Sequence, residues 1–300
     1  MTERIAYDEF ALFHENAEEF GLPWSGPPTV RRENVDLGDG RHISALVWGD
    51  RPADLVLLHG GAQNAHTWDT VALALDRPLV AVDLPGHGHS GPGREGSLSV
   101  RANAADVATA IRATASPPVH LVGMSLGGLT ALALADAEPG LIRSLTLVDV
   151  TPGVTGPKSA HIAAFIDGPE RFASFDEILE RTKAFNPTRS ESSLRRGILH
   201  NAEQLEDGTW VWRYARFRDR ETRRDLDFAG LWDVVSRLRV PLMLARGLRD
   251  QSVVDDADEA ELLRRAPDAR IEHFAESGHS IQGDQPVELA QALAAFIATV

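Results

Sequence analysis

Residues 119–128, Val-His-Leu-Val-Gly-Met-Ser-Leu-Gly-Gly, constrain this chain more than any other stretch. A short apolar run passes within one residue into the Leu- and Ala-rich segment Leu126–Ala137, through a Gly-x-Ser-x-Gly turn centred on Ser125. The pattern predicts a buried strand followed at once by a helix. Such a junction forces the middle residue into strained backbone geometry and stands its side chain clear of the sheet. Gly123 and Gly127 remove the β-carbons that would crowd the bend, and the amide of Leu126, at the helix N-terminus, would face a developing oxyanion. Ser125 is therefore the candidate nucleophile. A five-residue pattern with three fixed positions also occurs in ordinary turns, so its surroundings must decide.

From residue 54 onward, apolar runs alternate with helical stretches. Strands are expected at 54–58, 79–84, 119–124, 144–150, 240–245 and 270–274, and helices at 67–75, 100–115, 126–137, 228–238, 256–266 and 286–299. Continuously apolar strands are covered on both faces, as in a parallel α/β sheet. Upstream, β-like runs at 29–37 and 41–49 flank Gly38-Asp39-Gly40, which is hairpin chemistry. Ile5, Phe10, Phe13, Ala17 and Phe20 fall at roughly helical spacing and predict a leading helix within residues 3–20. Residues 153–227 interrupt the alternation with about 75 residues rich in Phe, Trp and Arg, too long for a structureless loop. The expected organisation is an N-terminal helical extension at 1–28, a core at 29–152 and 228–300, and a cap at 153–227.

Composition narrows the partners. With 43% hydrophobic and 25% charged residues the chain reads as globular, and its net charge of −14 disfavours nucleic acid and anionic membranes. The absence of cysteine excludes disulfides, a thiolate nucleophile and thiolate-ligated metal. No stretch reaches transmembrane length, and the opening residues lack a basic start and an apolar run, so the expected compartment is the cytoplasm.

An activated serine needs a base within hydrogen-bond reach and an acid that fixes the base's tautomer. His279 follows the last predicted strand in Glu276-Ser277-Gly278-His279-Ser280 and is the expected base. Two acids compete. Asp250, in Arg246-Gly247-Leu248-Arg249-Asp250 after the preceding strand, is the first choice, and Asp149, at the end of the strand after the nucleophile helix, is the alternative. Ser125, Asp250 and His279 would all emerge at the carboxyl edge of the sheet. His59-Gly60-Gly61-Ala62 ends the first parallel strand, where the amide of Gly61 or Ala62 would join that of Leu126 in an oxyanion hole. His87 and His89, in the 83–90 loop, lack the convergent ligands of a metal pair and are expected to order the loop, so neither a metal nor a cofactor is expected.

His59-Gly60-Gly61, the 83–90 loop, the 123–128 turn, Asp250 and Ser277-Gly278-His279 together resemble the α/β-hydrolase superfamily over nearly the whole chain outside the cap. More narrowly, Gln63-Asn64-Ala65-His66-Thr67-Trp68 and the segments 123–130 and 207–214 resemble actinobacterial, mycobacterial-type esterases. The resemblance implies a mostly parallel sheet of about eight strands flanked by helices, with a mainly helical cap inserted after strand 6. It also implies a Ser–His–acid hydrolase of short- to medium-chain acyl esters, whose partner is a small-molecule ester. Epoxide hydrolases and haloalkane dehalogenases place Asp where this chain has Ser125, which disfavours their chemistry here. The same triad would also serve a thioester, lactone, amide or carbon–carbon bond, since its geometry does not encode the leaving group. A ligand-binding receptor on a hydrolase scaffold is the alternative of another class, and monomer and dimer are both left open.

Residues 181–224 carry eleven Lys or Arg against six Asp or Glu, including Arg195, Arg196, Arg213, Arg216, Arg218, Arg220, Arg223 and Arg224. They are expected chiefly to pair with acids of the core, and the sharper alternative is that one or two steer an anionic substrate. The aromatics expected near the cleft or inside the cap are Trp68, Phe165, Phe172, Phe185, Trp210, Trp212, Tyr214 and Phe217.

Overall fold

The structure, a computed structural model, describes residues 4–94, 99–215 and 228–300. Eight strands form one sheet: β1 Val30–Asp36, β2 His42–Trp48, β3 Leu55–Leu58, β4 Leu79–Asp83, β5 Val119–Met124, β6 Ile142–Val148, and, after the cap strands β7–β9, β10 Leu242–Gly247 and β11 Arg270–Phe274. Their order is β1-β2-β4-β3-β5-β6-β10-β11. β2 is antiparallel to both β1 and β4, and every other pairing is parallel. The hairpin turn at 38–40 places both Gly38 and Gly40 at positive φ and sets the register from Val30 opposite Trp48 to Asp36 opposite His42.

The strands are apolar throughout because both faces are covered. On β3, Val56 and Leu58 face one core while Leu55 and Leu57 face the other. The first core is closed by α3 (Val100–Thr114), α4 (Leu126–Ala137), α8 (Leu231–Arg237) and α9 (Asp256–Arg265). The second is closed by α1 (Phe13–Glu19), α2 (Asp69–Leu75) and α10 (Pro286–Ile297). The acidic start of α9 is a capping box, in which Asp255 and Asp258 exchange side-chain and backbone hydrogen bonds. No helix among the described residues is long and apolar enough to cross a membrane.

The leading helix is shorter than the sequence predicts and covers only Phe13–Glu19. Anchoring contacts take the place of its first turns. The Ile5 amide donates to Gln204 Oε1, the Tyr7 hydroxyl meets His200 Nδ1 at 2.8 Å, and Glu9 pairs with Arg32 at 2.6 Å and with His66 at 3.1 Å. One backbone amide and two side chains, reaching different elements, leave no single helical face.

After β6 the chain builds the cap from α5 (Ala160–Ile166), α6 (Phe175–Phe185), α7 (Glu191–Asn201) and a small antiparallel sheet. That sheet, β7 (Arg171–Phe172), β8 (Ala202–Gln204) and β9 (Trp210–Trp212) in the order β7-β9-β8, adds strands to an otherwise helical cap. Asp207-Gly208, with Gly208 at φ +85°, turns β8 into β9 and was the available signal for it. Phe172, Ile178, Leu194, Ile198 and Trp210 form the cap's own core, against which Tyr7 and Leu12 pack.

Candidate active site

Three of the four non-glycine residues with positive φ among the described residues meet at the carboxyl edge of the sheet: Ala62 at +61°, Ser125 at +51° and Asp149 at +45°. Strain of this kind persists only where surrounding structure holds it. Ser125 joins β5 directly to α4, its N–H donating to Val148 O and its carbonyl accepting from the amides of Gly128 and Leu129. The bend lies close against β3. A β-carbon on Gly127 would stand 2.5 Å from Leu58 O, and one on Gly123 would stand 2.4 Å from Gly127 O, so both positions need glycine for space.

His279 follows β11 and is nearly buried, as is the group that holds it. Its Nδ1 lies 2.9 Å from Asp149 Oδ2. Asp149 is fully buried, and its carboxylate also accepts from the Gly247 N–H at 2.9 Å, the Ser252 hydroxyl at 2.6 Å and the Val253 N–H at 3.1 Å. Four donors around one buried carboxylate fix its position and that of the imidazole it meets.

This corrects the first choice of acid. Asp250 lies three residues beyond the end of β10, exposed on a turn, whereas Asp149 follows Val148 without a spacer and turns back through its positive φ toward His279. The loop after β10 does serve the acid, through Ser252 and Val253, two residues that the sequence reading did not single out.

The loop after β3 is braced from below. His59 is fully buried; Leu84 N–H donates to its Nε2 at 2.9 Å, which leaves Nδ1–H to donate to Gly60 O at 2.7 Å. Burial, reinforced by neighbouring His87, pushes its pKa down to about 3, so it stays neutral. His87 is likewise buried and neutral, and its Nε2 accepts the Ala62 N–H at 3.2 Å. That bond removes Ala62 from the expected oxyanion donors. No acceptor among the described residues takes the amides of Gly61 and Leu126. Asp83 ties the same loops together, accepting from Ala65 N–H, His89 N–H and Arg32. Burial opposes its charge, but Arg32 and these amides hold its carboxyl below the ordinary range. His87 thus orders the loop through its ring and His89 through its backbone amide.

Ser125 and His279 line one cavity of about 200 Å³, together with Gly61, Ala62, Gln63 and Met124 from the core. Cap helix α5 contributes Ile162, Phe165 and Ile166, one face at i, i+3 and i+4, and Phe185 closes the apolar wall. Trp68 instead lies in the second sheet core, and Phe172 and Trp210 lie in the cap core. Phe217 and Arg216, Arg218, Arg220, Arg223 and Arg224 lie outside the described residues. Of the cap arginines named above, Arg196 pairs with Glu19 and Glu15, Arg195 with Glu15 and Arg213 with Glu203.

A second chamber of about 150 Å³ adjoins this cavity, sharing Gln63, Phe165, Asn186 and Arg189 with it. His66, Asp69 and His200 cluster in its wall, with ligand atoms within 4.8 Å of one another. His66 is already committed there, donating from Nδ1 to Asp69 at 2.9 Å and from Nε2 to Glu9 at 3.1 Å. Burial opposes its charge, but these two carboxylates raise its pKa to about 9, so the cluster is an ion-pair network built on an imidazolium.

The family model described as "Alpha/beta hydrolase family" matches residues 55–292. The chain is 46% identical over 297 residues to esterase Rv0045c of Mycobacterium tuberculosis, covering 96% of this chain and 95% of that protein. The crystal structure of that esterase superposes with a TM-score of 0.81, at 43% identity, over 99% of this chain and 100% of its own. A pimeloyl-[acyl-carrier protein] methyl ester esterase of Methylococcus capsulatus is 30% identical over 74% of this chain and 85% of its own. The structure of an E-2-(acetamidomethylene)succinate hydrolase shares the fold, with a TM-score of 0.79 at 22% identity over 90% of this chain and 100% of its own.

Proposed function

Since the chain belongs to the alpha/beta hydrolase family and is a carboxylic ester hydrolase, we propose that Ser125 is its nucleophile, His279 its general base and Asp149 the acid that orients the base. In this reading His279 Nε2 takes the Ser125 hydroxyl proton as Oγ attacks the ester carbonyl. The amides of Gly61 and Leu126 receive the oxyanion, preorganised and without an internal acceptor to compete. The imidazolium returns its proton to the leaving alcohol, and the acyl group remains on Ser125. Water, deprotonated by His279, then attacks the acyl-enzyme and releases the acid. The substrate is a small-molecule ester with a short- to medium-length acyl group. The support for that length is a cavity of about 200 Å³ walled by Ile162, Phe165, Ile166 and Phe185.

The observation that carries this reading is the 2.9 Å contact from His279 to a fully buried, four-donor Asp149, in a cavity that a positive-φ serine lines. Turnover of p-nitrophenyl esters of increasing acyl length tests it. Ser125→Ala is expected to lose about 10⁴-fold or more of kcat at every length while keeping the wild-type Tm. Substantial turnover by the folded variant would reject Ser125 as the nucleophile, and a rate that climbs steadily into long chains would reject the length assignment.

A further inference from the structure

The buried and half-buried arginines of the described residues are paired with carboxylates almost without exception. Arg32 carries Glu9 and Asp83, Arg41 carries Asp39 and Asp106, Arg196 carries Glu15 and Glu19, and Arg246 carries Asp256 and Glu259. Arg181 lacks an acid, but donates to two backbone carbonyls and stacks against Phe165 and Phe185. Arg189 has neither arrangement. Its one side-chain hydrogen bond among the described residues runs from Nη2 to the neutral Ser193 hydroxyl at 2.6 Å, and its Nε is buried without a partner among them. No carboxylate of the described residues comes within 4.0 Å of it, although Asp284 and Glu19 attract it from further away. Holding a half-buried guanidinium with no carboxylate in contact is costly, and functional sites are where such costs are retained.

The place of Arg189 gives the missing partner a chemistry. It lines the cavity of Ser125 and His279 and also the adjoining chamber, so it stands at the passage between them. Asp284, the acid that shares the catalytic cavity, accepts the Gly278 N–H at its Oδ2 at 3.2 Å and attracts Arg189 without forming an ion pair with it. The chamber beyond Arg189 is polar and incompletely bonded. Asp69 Oδ1, His200 Nε2, Trp212 Nε1 and Gln282 Oε1 are buried there without hydrogen-bond partners among the described residues. Buried polar atoms are normally satisfied, so this concentration around one chamber marks space meant for a polar occupant. We propose that Arg189 is a substrate-binding residue that recognises a carboxylate carried by the ester, holding it by paired N–H donors at the passage while the ester carbonyl lies at Ser125. The fork of the guanidinium suits two carboxylate oxygens, and a neutral ester would leave it unpaired.

This inference rests on the ester-hydrolase reading above, and its test separates the two. Matched p-nitrophenyl-type substrates are compared in three forms: a free carboxylate at the end of the acyl part, a free carboxylate on the alcohol part, and a neutral carboxamide of equal length, each over several chain lengths. Wild-type enzyme is expected to favour one carboxylate series over the carboxamide by about tenfold or more in kcat/KM, chiefly through KM. Arg189→Met is expected to erase that ratio and Arg189→Lys to retain part of it, because lysine keeps the charge without the fork. With no ligand bound, Arg189→Met is also expected to match or exceed the wild-type Tm, since an unpaired cation has been removed from a half-buried site. A carboxylate-to-carboxamide ratio near one in wild type at every length, or a ratio unchanged in folded Arg189→Met, overturns the proposal. Calorimetric Kd values for the corresponding amides read the same ratio without turnover. Failure to hydrolyse any ester therefore counts against the esterase reading, whereas equal Kd values for carboxylate and carboxamide count against this one.

Discussion

The catalytic edge and the adjoining chamber are a few residues apart, yet they treat polar groups in opposite ways. At the edge, the Asp149 carboxylate accepts from His279, Gly247, Ser252 and Val253. In the chamber, Arg189 Nε, Asp69 Oδ1 and Gln282 Oε1 are buried with no partner among the described residues. Groups that must keep one geometry through a reaction cycle are fully satisfied by the protein, and groups that await a ligand are left incomplete. The edge is built largely from strand ends and backbone amides, whose positions the sheet register fixes. The chamber is built from long side chains of the core and the cap, which adapt. Reaction chemistry and recognition are thus separated by the kind of atom that supplies them.

The sharpest way to break this contrast is at the acid. Asp149→Asn keeps the size of the side chain but presents an amide to His279 and to three donors, so the imidazole loses the partner that fixes its tautomer. The loss in kcat is expected to be about 10⁴-fold, with KM little changed. Asp250→Asn alters an exposed turn and is expected to stay within about twofold of wild type. Parallel kcat measurements on the two variants, with Tm as the control for folding, check the assignment. Near-normal turnover in Asp149→Asn would return the role to another acid.

That choice of acid also shows where sequence reasoning stops. The sheet was legible because strands covered on both faces must be apolar at every position, as Leu55–Leu58 and Val119–Met124 are. Ser125 and His279 could be picked out as candidates because a glycine-flanked bend and a strand-end histidine leave a pattern. The acid was not, since β6 and β10 are neighbours and each delivers an aspartate to the same edge. The aspartate that meets His279 differs through the backbone: Asp149 has no spacer after its strand and a φ of +45°, which no pattern of residue types encodes. Ala62 was misread for a related reason, because the acceptor that takes its amide, His87, is 25 residues away in the chain. Arg189 was one cation among eleven in a basic stretch, and only the distances to its neighbours set it apart.

The chamber wall carries its own test, in pH. Glu9 and His66 lose hydration on burial, yet their contact, with Arg32, lowers the Glu9 pKa to about 2 and, with Asp69, raises that of His66 to about 9. A raised histidine pKa stabilises the fold fully below its unfolded value near 6.5, and the contribution is lost as pH rises through about 9. A lowered carboxylate pKa stabilises above about 4.5, and that contribution is lost as pH falls toward 2. The two describe one contact and are not added. Wild type is therefore expected to lose on the order of 3 kcal/mol between pH 6.5 and the region above 9, a slope that His66→Gln should flatten. Urea midpoints measured across that range check it. An unchanged alkaline slope in the variant would mean that His66 is neutral in the folded chain.

The smallest effect concerns the support of the acid rather than the acid. Ser252 donates to Asp149 Oδ1 at 2.6 Å and, within its own loop, its hydroxyl also contacts Val254 N and O at 3.2 Å. Removing a hydroxyl that bonds a charged group costs about 1.5–3 kcal/mol when no substitute is available. Three other donors remain on this carboxylate, so Ser252→Ala is expected to lower kcat only about tenfold, at the low end of that range. If Ser252 acts by positioning Asp149, KM stays near wild type, and Ser252→Thr, which restores a hydroxyl, recovers most of the rate. If it acts only by shaping the 250–255 loop, Tm falls in both variants and the two rates move together. A fully bonded carboxylate should lose function in steps as its donors are removed, whereas the incomplete chamber should lose selectivity at once when Arg189 goes; the two responses separate a site held by the protein from one completed by its ligand.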